Sequence, residues 1–134
     1  MGKSGSVSKG EGMQARATKL ISRVQQGVTI VQFTDAKVID QRNINQIGEE
    51  MLEMVEKGGV RKMVINLDSV RLLSSAVLTK LISLHKALRT NKGDLKLCHI
   101  APQIHQVFEF TRLDRVFAIY KTEAEALEAF RLGG

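Results

Sequence analysis

Apolar and polar positions alternate between two periods along this chain. Leu20 to Val24 and Val28 to Thr34 read as two strands around Gln25-Gln26-Gly27, with Gly27 able to supply the positive φ of a tight turn. Val28, Ile30, Val31 and Phe33 crowd the second strand, which predicts cover on both of its faces. From about Gln41 to Lys57 the period becomes helical. Ile44, Ile47, Met51, Met54 and Val55 form one face with Leu52 on its flank, and Arg42, Glu49, Glu53 and Glu56 form the other. Gly58-Gly59 ends that helix. Met63 to Leu67, MVINL, is a short apolar run and the expected central strand.

A second helical period follows. Val77, Leu78, Leu81, Ile82, Leu84, His85 and Leu88 share a broad face, and Thr79, Lys80, Ser83 and Lys86 take the other. Asp94 to Ile100 predicts the next strand. Pro102 suits the first position of a short helix carrying Ile104, Val107, Phe108 and Thr111. Phe117 to Tyr120 is a last short strand, and Thr122-Glu-Ala-Glu125 is a capping box opening the final helix. Strand and helix alternating after one hairpin predict an α/β sheet with parallel neighbours and right-handed crossovers.

Composition narrows the function classes. A chain of 134 residues, 43% apolar and 25% charged, fits one domain with one core. With no Trp and one Tyr, that core is aliphatic, with Phe and Met filling gaps. No apolar run approaches a membrane span, and no signal-peptide pattern opens the chain, so a cytoplasmic protein without a membrane partner is the expectation. The single cysteine, Cys98, rules out an internal disulfide and reads as a small apolar strand residue. The formal charge is +6, but Lys3, Lys9, Arg16 and Lys19 against Glu11 place half of it in the first 19 residues. The remaining basic residues are dispersed and lack aromatic stacking partners, so nucleic acid is not an expected partner. Residues 1–18, rich in Gly, Ser and Lys, are expected to form a flexible tail ahead of a domain over 19–134.

Searches for chemistry find little. His85, His99 and His105 match no zinc spacing, and His85 reads as a core or interface histidine. No GxSxG elbow, P-loop or GxGxxG is present, so neither an enzyme nor a cofactor is expected. Ser74 and Ser75 stand where a strand–loop unit gives way to the second helix. A serine there can cap the helix, since its oxygen accepts from a first-turn N–H. It can also be a phosphoacceptor, because the same N–H groups and the helix dipole favour an added phosphate.

The stretch from Met63 to Leu78 resembles the STAS domain of bacterial anti-sigma factor antagonists. The family pattern is a buried strand ending in Asp, a short loop, then Asp-Ser-Ser/Thr-Gly-Leu opening a helix. Laid on without a gap, that motif falls on Ser74, Ser75, Ala76, Val77 and Leu78, after a strand ending at Asp68. Ser74 replaces the motif's Asp, Ala76 its second hydroxyl and Val77 its Gly. The resemblance runs on through GDLKLCHI, PQIHQVFEFTRLDRVFAIY and TEAEALEAF. It implies one STAS-like domain, a small mixed sheet of about five strands with about four helices mainly on one side. It implies no catalysis. It implies a phosphorylated serine at Ser75, with Ser74 as the alternative. It implies a partner surface of Asp68, Ser74, Ser75, Ala76 and Thr79, with the loop after Val31 beside it. The implied partners are an anti-sigma factor with a GHKL-type serine kinase fold and a PP2C-type phosphatase, and a weak homodimer stays open. A constitutive scaffold or ligand-binding module without a phosphorylation switch is the alternative.

Overall fold

The computed structural model describes residues 19–133; the expected tail, residues 1–18, lies outside the described residues. Strands β1 (Leu20–Gln25) and β2 (Val28–Phe33) form an antiparallel hairpin. Its turn puts Gln26 at φ 56° and Gly27 at φ 77°. Two successive positive φ values match the right-handed twist of the strands, and glycine takes the second without strain. Then follow β3 (Lys37–Val38), α1 (Gln41–Glu56), β4 (Lys62–Asn66), β5 (Leu72–Leu73) and α2 (Ser75–Thr90). The chain continues with β6 (Asp94–Cys98), α3 (Pro102–Phe110), a 3-10 turn (Leu113–Arg115), β7 (Ala118–Tyr120) and α4 (Glu123–Gly133).

The main sheet has the order β1-β2-β4-β6-β7 and is parallel except for the hairpin. Side-chain alternation sorts its residues onto two faces. Val31, Phe33, Met63, Ile65, Leu95 and Leu97 meet α1, α2 and α3 in the larger core. Val28, Ile30, Val64 and Cys98 meet Ala126, Leu127 and Phe130 of α4 in a smaller one. Three helices therefore cover one face and one covers the other, as the doubly apolar central strands require. This is the mixed five-stranded α/β sheet that the sequence pattern predicts. On the α4 face, the alkyl chain of Lys96 brings its ammonium 4.3 Å above the Phe130 ring and 2.8 Å from Asp94 Oδ2. A nearly buried cation is thus paired on two sides.

Helix α2 lies at the centre of the larger core, burying Val77, Leu78, Leu81, Leu84 and Leu88. Ile82 and His85, expected on the same face, are half-buried at its margin. The His85 ring meets Phe117 edge-on at 5.4 Å, and Phe117 meets Phe108 likewise at 5.9 Å. At the C-terminal end of α2 the chain must pass close to the start of β4: a Cβ on Gly93 would stand 2.3 Å from the Arg61 carbonyl oxygen. Of the four residues at helical spacing on α3, Ile104 and Phe108 are buried, whereas Val107 is 39% exposed and Thr111 is exposed.

Leu81 is fully buried in the middle of α2. Leu81→Ala should therefore cost about 2–5 kcal/mol in urea unfolding through lost transfer energy and the cavity left behind. A loss under about 0.5 kcal/mol would be the behaviour of a surface position and would contradict this packing.

Candidate functional site

Two short strands, neither marked by a strand period in the sequence, build the site. β3 and β5 pair in parallel, Lys37 with Leu72 and Val38 with Leu73. Around them Arg71 N and Leu72 N donate to Ala36 O, and Ser74 N donates to Val38 O at 3.1 Å. Val38 is buried beneath this pair, which anchors it. The pair draws the loop after β2 against the loop after β4. Helices α1 and α2 consequently begin side by side, one capped by Asp40 and the other by Ser74. Asp40 accepts from Arg42 N at 2.9 Å and from Asn43 N at 3.1 Å.

The two serines divide the roles that the sequence leaves open. Ser74 is half-buried with extended backbone, and its hydroxyl accepts from Ala76 N at 3.2 Å. It is the N-cap. Ser75 is the first residue of α2 and is exposed. Its hydroxyl has no hydrogen-bond partner among the described residues. Ala76 is half-buried beside it, and exposed Thr79, one turn on, donates its hydroxyl to the Ser75 carbonyl at 3.4 Å. Val77, at the motif's Gly position, points into the core at 2% exposure. The extra side chain thus adds to packing and leaves the surface unchanged.

Asp68 is exposed on the turn that leads to this point, where the resemblance places part of the partner surface. It does not cap the turn. That role falls to Asn66, whose Oδ1 accepts from Asp68 N at 2.8 Å. Val70 N closes the turn on Leu67 O, and the Arg71 guanidinium donates to the carbonyls of Asp68 and Val70 at 2.6 and 3.1 Å. Ser69 donates its hydroxyl to Phe33 O at 2.5 Å, tying the turn to the end of β2. An open cleft of about 390 Å³ continues past Asp68 and Arg71 to His99, Gln103 and Lys121.

Under this surface lies a polar cluster that spacing did not reveal. Buried Asn66 donates from Nδ2 to Glu123 Oε2 at 2.8 Å. The other Glu123 oxygen pairs with Arg23 of β1. His99, at φ 57°, accepts from Glu123 N through Nε2 at 3.2 Å, and its Nδ1 stands 4.0 Å from Asp68 Oδ1. The signal in the sequence was an amide within an otherwise apolar strand, MVINL. Thr122 caps α4 by accepting from Glu125 N, while Glu125 reaches back to Lys121 N. Among the described residues, no group of three or more His, Cys, Asp or Glu is placed to hold a metal ion. No described helix is long and apolar enough to cross a membrane.

The site is thus an exposed serine opening the central helix of a small mixed sheet. Residues 19–126 match the family model described as STAS domain, and the chain belongs to that family. BtrV of Bordetella bronchiseptica, whose name marks it as a candidate anti-sigma factor antagonist, is 31% identical over 94 residues, covering 70% of this chain and 80% of that protein. The solved anti-sigma-factor antagonist (STAS) domain protein of Planctomyces limnophilus superposes with a TM-score of 0.75 at 25% identity, over 82% of this chain and 96% of the other. The Bacillus cell-fate determinant SpoIIAA, solved in its phosphorylated form, shares the fold at a TM-score of 0.66 and 17% identity, over 83% and 98% of the two chains.

Cys98 closes β6 beneath α4 with no exposed surface. Burial, reinforced by the Glu123 and Asp68 charges, pushes its thiol from an ordinary 9.0 up to about 12. A raised pKa leaves stability intact below the unfolded value and lowers it as pH climbs from about 9 towards 12, where only the unfolded thiol ionises. At pH 8 a thiol-specific disulfide reagent should label the native protein orders of magnitude more slowly than the denatured chain. Comparable labelling rates in the two states would refute the buried placement.

Proposed function

We propose that this chain is a regulatory binding module of the anti-sigma factor antagonist type. It docks onto an anti-sigma factor with a GHKL-type serine kinase fold, through the loop after β2, the Asp68–Ser74 turn and the exposed start of α2. Phosphorylation of Ser75 switches docking off, and a PP2C-type phosphatase resets it. The observation that carries this reading is the separation of the two serines. Ser74 spends its hydroxyl on the cap and is half-buried, whereas Ser75 presents an exposed, unbonded hydroxyl. The existence of a phosphorylated form of SpoIIAA supports the same reading.

The physics assigns the cost of phosphorylation to the complex. A phosphate on Ser75 adds about −1.5 to −2 charges beside first-turn N–H groups that favour an anion, so the fold tolerates it. Against a partner it must be desolvated and meets whatever acidic groups lie opposite. The alternative is a constitutive scaffold of the same family. Two departures favour it: Ser74 in place of the motif's Asp and Val77 in place of its Gly.

Wild-type, Ser75→Ala and Ser75→Asp chains used as bait in lysate of the source organism discriminate these readings. Wild type and Ser75→Ala should retain a protein identified by mass spectrometry as a GHKL-type anti-sigma factor. Ser75→Asp should bind that factor at least about tenfold more weakly, which is about 1.4 kcal/mol. Its melting temperature should stay within about 2 °C, as for an exposed substitution. Incubation with the factor and ATP should place phosphate on Ser75. Phosphate on neither serine, with equal retention of one partner by all three baits, would leave the scaffold reading standing.

A further inference from the structure

The turn bearing Asp68 and Arg71 is held from the far side of the sheet. Asn66 is the last residue of β4 and is 7% exposed on the face that α4 covers. Both ends of its amide are committed, one to Glu123 Oε2 and one to the Asp68 N–H, each at 2.8 Å. Glu123 is in turn held by Arg23 of the edge strand β1 and by its own N–H on His99. From Asp68 the chain of bonds continues through Arg71 NH1 to Asp68 O, Arg71 N to Ala36 O and Ser74 N to Val38 O. Arg23, Glu123, Asn66, the Asp68 turn and the cap of α2 thus form one connected series. Asn66 is buried and Glu123 half-buried, and their bonds reach the cap of α2 through the turn.

We infer that Asn66 and Glu123 are positioning residues for the docking surface, fixing the Asp68–Ser74 turn from the α4 side of the sheet. This rests on the docking reading above. The amide is the group this geometry requires. Oδ1 must accept from a backbone N–H while Nδ2 donates to a carboxylate, and a side-chain amide offers both in one short planar unit. An aspartate at 66 would set two carboxylates against each other beneath the sheet end. The pairing can, however, be inverted. With Asn66→Asp and Glu123→Gln together, the glutamine amide donates to the new carboxylate, and its oxygen still accepts from Arg23.

That inversion supplies the test. Amide hydrogen exchange by NMR is compared among wild type, Asn66→Ala, Asn66→Asp and the double variant Asn66→Asp/Glu123→Gln. The single variants should speed exchange at Asp68, Arg71 and Ser74 by at least about tenfold relative to Ile65 and Leu81, which report the core. The double variant should return those three amides to within about threefold of wild type. Affinity for the anti-sigma factor retained by Ser75→Ala should fall several-fold in the single variants and recover in the double. Unchanged exchange at the turn, exchange that rises equally in the core, or no recovery in the double variant would each overturn the inference. A loosened turn that still binds the factor with wild-type affinity would overturn it too and leave the docking reading intact. A Ser75→Asp chain that binds as wild type does would instead remove the docking reading, and the positioning role with it.

Discussion

Burial of β4 on both faces is the constraint from which the rest follows. Met63, Val64 and Ile65 have no exposed surface, and strands flank them on either edge. A strand so enclosed can meet solvent only at its ends. Its backbone polar groups must find partners as soon as the ladder stops. The C-terminal end is where parallel strands release their loops, and here the chain leaves β4 between two layers of helix. Asn66 meets the first demand by accepting from Asp68 N, and Val70 N meets the next on Leu67 O. The turn carrying the site is a consequence of ending a buried strand with its polar groups satisfied.

The same constraint separates core packing from exposed surface along α2. One side of the helix carries five buried aliphatic residues, and these decide whether the domain folds. The first turn carries Ser74 and Ser75, whose roles differ although they are neighbours. A capping hydroxyl is worth about 1 kcal/mol and must stay where the helix begins. A modifiable hydroxyl must be exposed and uncommitted. One residue cannot meet both demands well, and two adjacent serines meet them separately. The β3–β5 pair enforces the division by fixing Ser74 N on Val38 O, which leaves Ser75 turned outward.

Much of this was legible in the chain. The periods of 2 and 3.6 marked the five main strands and four helices, although the edge strand β1 buries only Leu20. Val31 and Ile30 side by side disclosed the double cover of β2. What pattern could not disclose depended on long-range pairing. β3 and β5 are two residues each and are held by one another, so neither segment carries a strand period of its own. On α3 helical spacing links four residues, of which only Ile104 and Phe108 are buried. The Asn66–Glu123 bond joins residues 57 apart in sequence, and only the assembled sheet with α4 packed on it brings them together. At the site, the sequence located the two serines but not their roles. Which hydroxyl caps depends on where the helix starts, and a single residue decides that.

Replacing the motif's Asp by Ser74 changes the electrostatics more than the structure. Asp and Ser cap helices about equally well, so the start of α2 needs no charge. A carboxylate at the cap would, however, stand beside any phosphate on Ser75. At 4 Å and an effective dielectric near 20, two unit charges interact by about 4 kcal/mol, less where water and salt reach them. With a neutral cap that repulsion is absent. The helix dipole and first-turn N–H groups then act on a Ser75 phosphate without opposition at the cap. Beyond the cap, carboxylates lie on the neighbouring segments, Asp40 at the start of α1 and Asp68 on the turn. Asp40 spends one of its oxygens on the α1 cap. Asp68 and Arg71, the charged residues of the turn that leads to α2, are themselves placed by how the buried strand ends.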